Sequence, residues 1–284
     1  METVSFYSYK GGVGRSLLVA HAARFLAMLG NRVVVADFDF EAPGLHYKFR
    51  VAAPFSGGVV SYLLATSDDA SAPPALNAHV LDLDTARIAG EAEFETGPVW
   101  LMPAGPAPKP EYWADLQALG DRLPFGDPSG RGLLAVLDLH ARLEQELEPD
   151  YLLIDARTGI TELGSLAATV LSDTVVTMVT PTLESIEGTT VVIQALQSAK
   201  RLEGKGPIRV VPVLARVGKK FDPWVQTGLD GIREMCSTER LIRLPHDPKV
   251  LNSELMGWMG ALPLAYTQLL QEIFPSRGTQ MGQR

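Results

Sequence analysis

Short apolar runs alternate with longer amphipathic segments along most of the chain. Runs of this kind predict buried strands, and we place them at 4–7, 32–36, 99–102, 151–154, 174–179, 208–214 and 241–244. Helical spacing of apolar positions falls between them, at 17–29, 58–65, 133–147, 163–171, 189–202, 224–235 and 263–274. Strands that alternate with helices predict a mostly parallel, twisted sheet with helices on both faces. We therefore expect an α/β fold.

The pattern weakens in the middle of the chain and at its end. Residues 66–97 are irregular, and residues 103–132 are rich in Pro and Gly, with a short amphipathic helix indicated at 112–119. We interpret 103–132 as a loop-rich insertion within one domain that covers 1–275. The polar residues 276–284 are expected to form a disordered tail.

Composition places the chain among ordinary globular proteins. It has 284 residues, of which 46% are hydrophobic and 20% charged, and one cysteine, Cys236, which excludes an intrachain disulfide. No apolar run reaches the ~18–20 residues that a membrane-spanning helix needs. The first residues already look like a strand, so we expect no signal peptide and a cytoplasmic protein.

The net charge of −8 argues against a protein whose main task is non-specific DNA binding. A local basic patch could still serve DNA, and its members would be Lys200, Arg201, Lys205, Arg209, Arg216, Lys219 and Lys220. The other interpretation of this patch is a set of solvated charges. DNA is therefore a possible partner that the sequence does not favour.

A glycine-rich stretch, Y-K-G-G-V-G-R-S at 9–16, lies between the first predicted strand and the first helix. Backbone N–H groups of such a loop and the helix dipole bind anions, above all the phosphates of a nucleotide. Gly11, Gly12 and Gly14 allow close approach of phosphates, and Ser16 offers a hydroxyl to Mg²⁺ or caps the helix. A glycine-rich turn without a ligand is the alternative. The usual phosphate-binding lysine is replaced by Arg15, while Lys10 stands early in the loop.

Carboxylates follow two of the predicted strands. Asp37 and Asp39 come after the strand at 32–36, and Asp155 ends the strand at 151–154. The carboxyl ends of parallel strands form the edge where α/β proteins bind ligands. The three carboxylates are therefore expected at the ligand-binding edge beside the loop, although an acidic loop without a catalytic role remains an alternative for Asp37 and Asp39.

The loop S-Y-K-G-G-V-G-R-S resembles the deviant Walker A motif of the ParA/MinD family of P-loop ATPases, in the variant that carries K-G-G-V-G-R. The resemblance implies a P-loop NTPase fold that binds ATP or ADP with Mg²⁺. It assigns nucleotide contacts to the loop residues Lys10, Gly11, Gly12, Val13, Gly14, Arg15, Ser16 and Leu17. It assigns the metal shell to Ser16, Asp37, Asp39 and Asp155.

The same resemblance implies further roles. Lys10 would cross a dimer interface to the partner's nucleotide, and Asp39 would position the attacking water. Residues 41–44 and 157–161 resemble the two switch segments of the family. The base would lie near Arg216, where L-A-R stands in place of the family's L-N-R, and near the family's I-P-x-D segment, represented by Pro245, His246 and Asp247.

These features favour a slow ATPase that forms a homodimer with ATP and regulates or positions an unidentified protein partner. A nucleotide-sensing interaction module with little hydrolysis is the alternative, motivated by Arg15 and by Ala215 in place of the family's Asn. A DNA-partition ATPase, or an ATP-dependent ligase resembling dethiobiotin synthetase, is a weaker alternative. Membrane attachment is not expected, because residues 262–274 carry no Lys or Arg.

Overall fold

The computed structural model describes residues 1–51, 55–68, 74–83, 96–126, 130–159, 161–202, 204–217, 221–245 and 264–275. Their strands form one eight-stranded sheet in the order β3-β4-β2-β5-β1-β6-β7-β8. The strands are β1 (Glu2–Ser8), β2 (Val33–Phe38), β3 (Leu81–Leu83), β4 (Val99–Met102), β5 (Tyr151–Ala156), β6 (Thr174–Val179), β7 (Arg209–Val217) and β8 (Ile242–Pro245). All neighbours are parallel except β3, which runs antiparallel to β4.

The described helices lie between these strands along the chain, except the last one, which follows β8. They are α1 (Arg15–Met28), α2 (Leu45–Lys48), α3 (Val59–Asp68), α4 (Pro110–Arg122), α5 (Arg131–Leu147), α6 (Glu162–Leu166), α7 (Leu183–Ser198), α8 (Pro223–Met235) and α9 (Leu264–Ile273). A 3₁₀ turn lies at Leu76–Ala78, and a π-helical turn at Ala167–Leu171 continues α6. Within the described part of the chain, no helix has both the length and the apolar character to cross a membrane.

The core has two layers because alternate residues of the buried strands point to opposite faces of the sheet. On one face, Val33 and Val35 of β2 belong to a cluster that includes α1 and α9. On the other face, Val34 and Ala36 belong to a cluster that includes α3, α4 and α5. Helices therefore cover both faces, and the α/β fold expected from the sequence is confirmed.

The predicted strands are all present, and the differences lie at short or atypical elements. The three-residue strand β3 and the one-turn helix α2 were not expected. The segment 103–132, expected to be a loop-rich insertion, contains α4, a helix of 13 residues that is longer than the pattern indicated. Helix α7 begins at Leu183 and not at 189, so Gly188 lies inside the helix and not before it. The expected tail at 276–284 lies outside the described residues.

Candidate functional site

The site is built around the central strands, whose order is β2-β5-β1. Register places Asp155 of β5 beside Asp37 of β2 on one side and beside Phe6 of β1 on the other. The glycine-rich loop leaves β1 at Ser8 and enters α1 at Arg15. The three elements therefore deliver the loop and the carboxylates to one edge, as the sequence predicted.

The backbone of the loop requires glycine. Gly12 has φ +70° and Gly14 has φ +91°, in the left-handed region that side chains rarely adopt. A Cβ added at Gly11 or Gly14 would meet no heavy atom within 4 Å, so packing does not demand glycine at either position. Open space over a glycine-rich backbone suits a phosphate group, which bonds directly to backbone N–H groups.

Arg15 is the first residue of α1, and its side chain is only 6% exposed. Its Nη2 donates to Oδ2 of Asp39 at 2.7 Å, and its Nε donates to Oδ1 of Asp155. The third nitrogen, Nη1, is buried and has no hydrogen-bond partner. Burial alone would lower the pKa of Arg15, but the charges and hydrogen bonds of Asp155 and Asp39 raise it.

Asp37 is completely buried and accepts backbone hydrogen bonds from the segment that follows β2. Its Oδ1 accepts from the N–H of Asp39 at 3.1 Å, and its Oδ2 accepts from Gly44 at 3.3 Å and Leu45 at 3.1 Å. Burial, followed by the charge of Asp155, raises the pKa of Asp37. In this arrangement Asp37 holds the 39–45 segment in place, and its part in a metal shell stays a prediction.

Burial also raises the pKa of Asp39, although Arg15 opposes the shift. Among the described residues, no group of three or more His, Cys, Asp or Glu side chains is arranged to hold a metal. Mg²⁺ bound with a nucleotide takes only one or two carboxylates, because water and phosphate oxygens complete its shell. Asp39 and Asp155 contact the same guanidinium, so they lie within reach of one cation and fit such a shell.

Ser16 and Leu17 follow in the first turn of α1 and are both partly buried. Gly14 holds the N-cap position, and no side chain caps the helix. Ser16 therefore does not act as the N-cap that the sequence left open. Val13 is buried against the core, which anchors the loop from below.

Lys10 lies at the rim of the loop, and its side chain is 41% exposed. Its Nζ forms an ion pair with Glu184 in the first turn of α7, and it lies 5.7 Å from the centre of the Tyr9 ring. The Tyr9 ring packs on Gly188, where an added Cβ would lie 2.3 Å from ring carbons. Sequence reasoning missed the contacts of the loop with Glu184 and Gly188, because residues so distant in the chain give no pairing signal.

The two segments resembling switches contact each other. Arg157, after β5, forms an ion pair with Glu41, after β2. Gly159 has φ +78°, and its N–H donates to the carbonyl of Ser8 at the start of the loop, at 3.3 Å. Thr161 caps α6 by accepting a hydrogen bond from the Gly164 N–H at 3.1 Å. The glycine-rich loop and both segments therefore form one connected unit.

The predicted base site is only partly described. Arg216 lies in β7, and Pro245 ends β8 at the neighbouring edge position, where it is paired with Val217. His246 and Asp247 lie outside the described residues. The roles of all four in binding a base stay predictions.

Three of the seven members of the proposed basic patch make contacts within the fold. Arg201 donates to the carbonyls of Thr169, Ser172 and Gly206. Lys205 forms an ion pair with Asp173 at 2.8 Å. Arg209 donates to the Ile273 carbonyl at 2.8 Å. Lys219 and Lys220 lie outside the described residues. Arg201, Lys205 and Arg209 thus stabilise loop and helix ends, which weakens the case for a DNA surface here.

Solved structures with this fold cover nearly the whole chain. They include the septum site-determining protein MinD of Pyrococcus horikoshii OT3 in complex with Mg-ADP (TM-score 0.61, 16% identity, covering 98% of this chain and 97% of that chain). They also include a McdA variant of Cyanothece in complex with ATP (TM-score 0.62, 17% identity, covering 97% of this chain and 96% of that chain). A third is the MinC:MinD complex of Aquifex aeolicus (TM-score 0.56, 19% identity, covering 97% of this chain and 96% of that chain).

Comparison with curated proteins gave no significant match. The family model described as the CobQ/CobB/MinD/ParA nucleotide binding domain matches residues 4–257, which include the glycine-rich loop and all three carboxylates. The chain therefore belongs to the CobQ/CobB/MinD/ParA nucleotide-binding domain family.

Proposed function

We propose that this protein is an ATP-binding and ATP-hydrolysing switch that forms a homodimer with ATP and regulates or positions a partner protein. The observation that carries the proposal is the convergence of Arg15, Asp39 and Asp155 at the end of the glycine-rich loop. Phosphoryl transfer to water needs neutralised charge and a positioned water, with little covalent chemistry. These residues can supply both.

Each residue has a distinct task in this proposal. The loop N–H groups hold the phosphates, and the buried guanidinium of Arg15 adds positive charge beside them. The Asp39 carboxylate accepts a hydrogen bond from the attacking water and orients it. Mg²⁺, when bound with the nucleotide, neutralises phosphate charge, and Asp39, Asp155 and Ser16 would hold its shell. The Mg-ADP and ATP bound to MinD and McdA support these ligands.

The position of Lys10 supports dimerisation. Arg15 is buried in the site, whereas Lys10 is on the surface at the loop rim, where its ammonium can reach another subunit. Its contact with Glu184 is an exposed ion pair, which contributes only about 0–1 kcal/mol and exchanges readily. Lys10 can therefore leave Glu184 for a phosphate across an interface.

Exposed apolar side chains near the loop offer a surface for a second subunit or a protein partner. Leu183 begins α7 and is 52% exposed, and Trp224 near the start of α8 is 76% exposed. These helices follow β6 and β7, so their first turns lie at the same edge of the sheet as the loop. The Aquifex aeolicus MinD forms a complex with MinC, which supports a protein as partner.

One observation favours a second candidate function, a nucleotide sensor with little hydrolysis. Arg15 binds Asp39, the carboxylate that would position water, and a carboxylate held this way is a poor proton acceptor. A sensor would bind ATP and change its assembly while releasing almost no phosphate.

Phosphate release by the parent and by Asp39→Ala, at saturating ATP and Mg²⁺, tests the proposal. We expect slow release by the parent and a loss of about 100-fold in the variant, the size typical of losing a positioned acid–base group. The matched control is Asp173→Ala, which removes a carboxylate at the far end of β6 and should leave the rate unchanged. Equal release by the parent and Asp39→Ala would support the sensor.

A further inference from the structure

The charges of the metal site are already paired within the protein. Arg15 contacts Asp39 through Nη2 and Asp155 through Nε, so a single guanidinium holds the two carboxylates that a metal would need. The side chains of Arg15 and Asp155 are 6% and 1% exposed. Charge pairs this deeply buried are weakly screened, and removal of one partner leaves an uncompensated charge.

The arginine is suited to this task in a way that lysine is not. A guanidinium presents several nitrogens in a planar fork, and two of them bond separate carboxylates here. A lysine offers one nitrogen, a compact point charge. Arg15 in place of lysine at this loop position therefore lets one side chain hold both carboxylates.

The third nitrogen of Arg15 has no hydrogen-bond acceptor among the described residues. Nη1 is buried and unpartnered, and an unsatisfied buried donor is destabilising. A phosphate oxygen above the glycine-rich loop is an acceptor of the right charge. Bonding to phosphate would satisfy Nη1 and draw the guanidinium away from the carboxylates.

We propose that Arg15 is an internal counter-ion that occupies Asp39 and Asp155 in the nucleotide-free protein and yields them to Mg²⁺ only when phosphate binds Arg15. The inference rests on the proposed nucleotide binding and adds an order to it. Without nucleotide, a metal ion competes with the Arg15 guanidinium for the two carboxylates. Phosphate that binds Arg15 removes this competition. Nucleotide and metal therefore raise each other's affinity, as linkage requires.

Binding of Mn²⁺, a paramagnetic substitute for Mg²⁺, tests the proposal without any turnover. Free Mn²⁺ is measured by electron paramagnetic resonance during titration of the parent, Arg15→Gln and Arg24→Gln, with no nucleotide present. Arg24 is the matched control, since it is a second buried arginine of α1, at 5% exposure, with unpartnered Nε and Nη1.

We expect Arg15→Gln to bind Mn²⁺ at least about tenfold more tightly than the parent, which corresponds to about 1.4 kcal/mol of lost competition. Arg24→Gln should bind it as the parent does. Equal Mn²⁺ affinity in the parent and a folded Arg15→Gln would overturn the proposal, and so would equal gains in both variants.

Arg15→Lys provides the second variant, because Arg15→Gln leaves two carboxylates unpaired and risks unfolding. Lysine keeps the charge but cannot hold both carboxylates as the fork does, so its Mn²⁺ affinity should lie above that of the parent. An affinity equal to the parent's contradicts the counter-ion role. ADP binding, followed separately with a fluorescent analogue, distinguishes the failures. A parent that binds no ADP refutes the proposed function. The counter-ion role of Arg15 is decided by the Mn²⁺ affinities of the parent and the Arg15 variants alone.

Discussion

Gly188 allows the phosphate loop to rest on α7, and its replacement should disturb both stability and nucleotide binding. The Tyr9 ring lies on Gly188 so closely that an added Cβ would be 2.3 Å from ring carbons. Real Cβ atoms do not approach so closely, so Gly188→Ala forces the ring aside. Because Tyr9 precedes Lys10 in the loop, that movement carries into the phosphate site.

The size of the effect follows from two opposing contributions. Alanine is favoured over glycine inside a helix by about 1 kcal/mol, whereas overpacking of a buried contact costs about 1–3 kcal/mol. Gly231 in the interior of α8 is the matched control, since a Cβ there meets nothing within 4 Å. Gly231→Ala should raise the free energy of unfolding by up to about 1 kcal/mol. Gly188→Ala should fall about 1–3 kcal/mol below that control.

Urea unfolding followed by circular dichroism measures both variants, and ADP titration measures the loop. We expect weaker ADP binding in Gly188→Ala and parental binding in Gly231→Ala. Tyr9→Ala introduced into Gly188→Ala should remove the overlap and recover most of the lost stability. If the two glycine variants had equal free energies of unfolding, the contact with Tyr9 would not have the importance assigned to it.

Three further predictions concern other contacts. Glu184→Gln frees Lys10 from its surface ion pair, and we expect the ATP-dependent dimer to tighten about two- to fivefold by sedimentation, the scale of an exposed pair; an unchanged constant would remove Glu184 as a restraint. Tyr112 donates to the carbonyl of Phe40 at 2.7 Å, so Tyr112→Phe should lower the free energy of unfolding by about 1–3 kcal/mol. The substitution should also reduce phosphate release by loosening Asp39, the carboxylate proposed to position water; unaltered stability and rate would contradict this. Burial lowers the pKa of His21 to about 4, below its unfolded value, so protonation of the ring on acidification favours the unfolded protein. The stability that the neutral ring contributes is full above about pH 6.5 and is lost as the pH falls towards 4, by at most about 3 kcal/mol. The measurement is the pH dependence of the free energy of unfolding, in which His21→Phe should lose less stability on acidification than the parent.

The sequence predicted best those elements whose residues are all apolar or β-branched and therefore have to be buried. Residues Thr174–Val179 are all buried in the structure, and the run of β-branched residues marks a central strand. The positions of Asp39 and Asp155 followed from the rule that parallel strands deliver their carboxyl ends to one edge. Both aspartates indeed meet beside the loop, because both contact Arg15.

Elements that depend on distant partners could not be predicted in this way. Strand β3 has three residues and is held by its antiparallel pairing with β4, so its own pattern is too short to read. The sequence pattern placed the start of α7 at 189, because Gly188 is a poor helix former. The structure shows why glycine stands there: the Tyr9 ring packs on Gly188 and leaves no room for a Cβ.

The same limit applies to the site. The sequence indicates that Arg15 follows the glycines, but side-chain pairing depends on rotamers and burial that no spacing encodes. Arg15 was expected to act on phosphates, which stays a prediction, and the structure adds its contacts with two carboxylates. Asp37 was expected at the metal, which also stays a prediction, and the structure adds its hydrogen bonds from backbone N–H groups. Both sets of contacts depend on the buried, crowded geometry around β2 and β5.

The most direct test of the proposed switch is the mass of the protein in solution with no nucleotide, with ADP and with ATP, for the parent and for Lys10→Ala. Light scattering coupled to size-exclusion chromatography, with Mg²⁺ present throughout, gives each value. The account predicts a parent that is monomeric without nucleotide and with ADP and dimeric with ATP, and a Lys10→Ala variant that stays monomeric in all three conditions while still binding ATP. A mass that does not respond to ATP in the parent, or an ATP-dependent dimer of equal strength in Lys10→Ala, would contradict it.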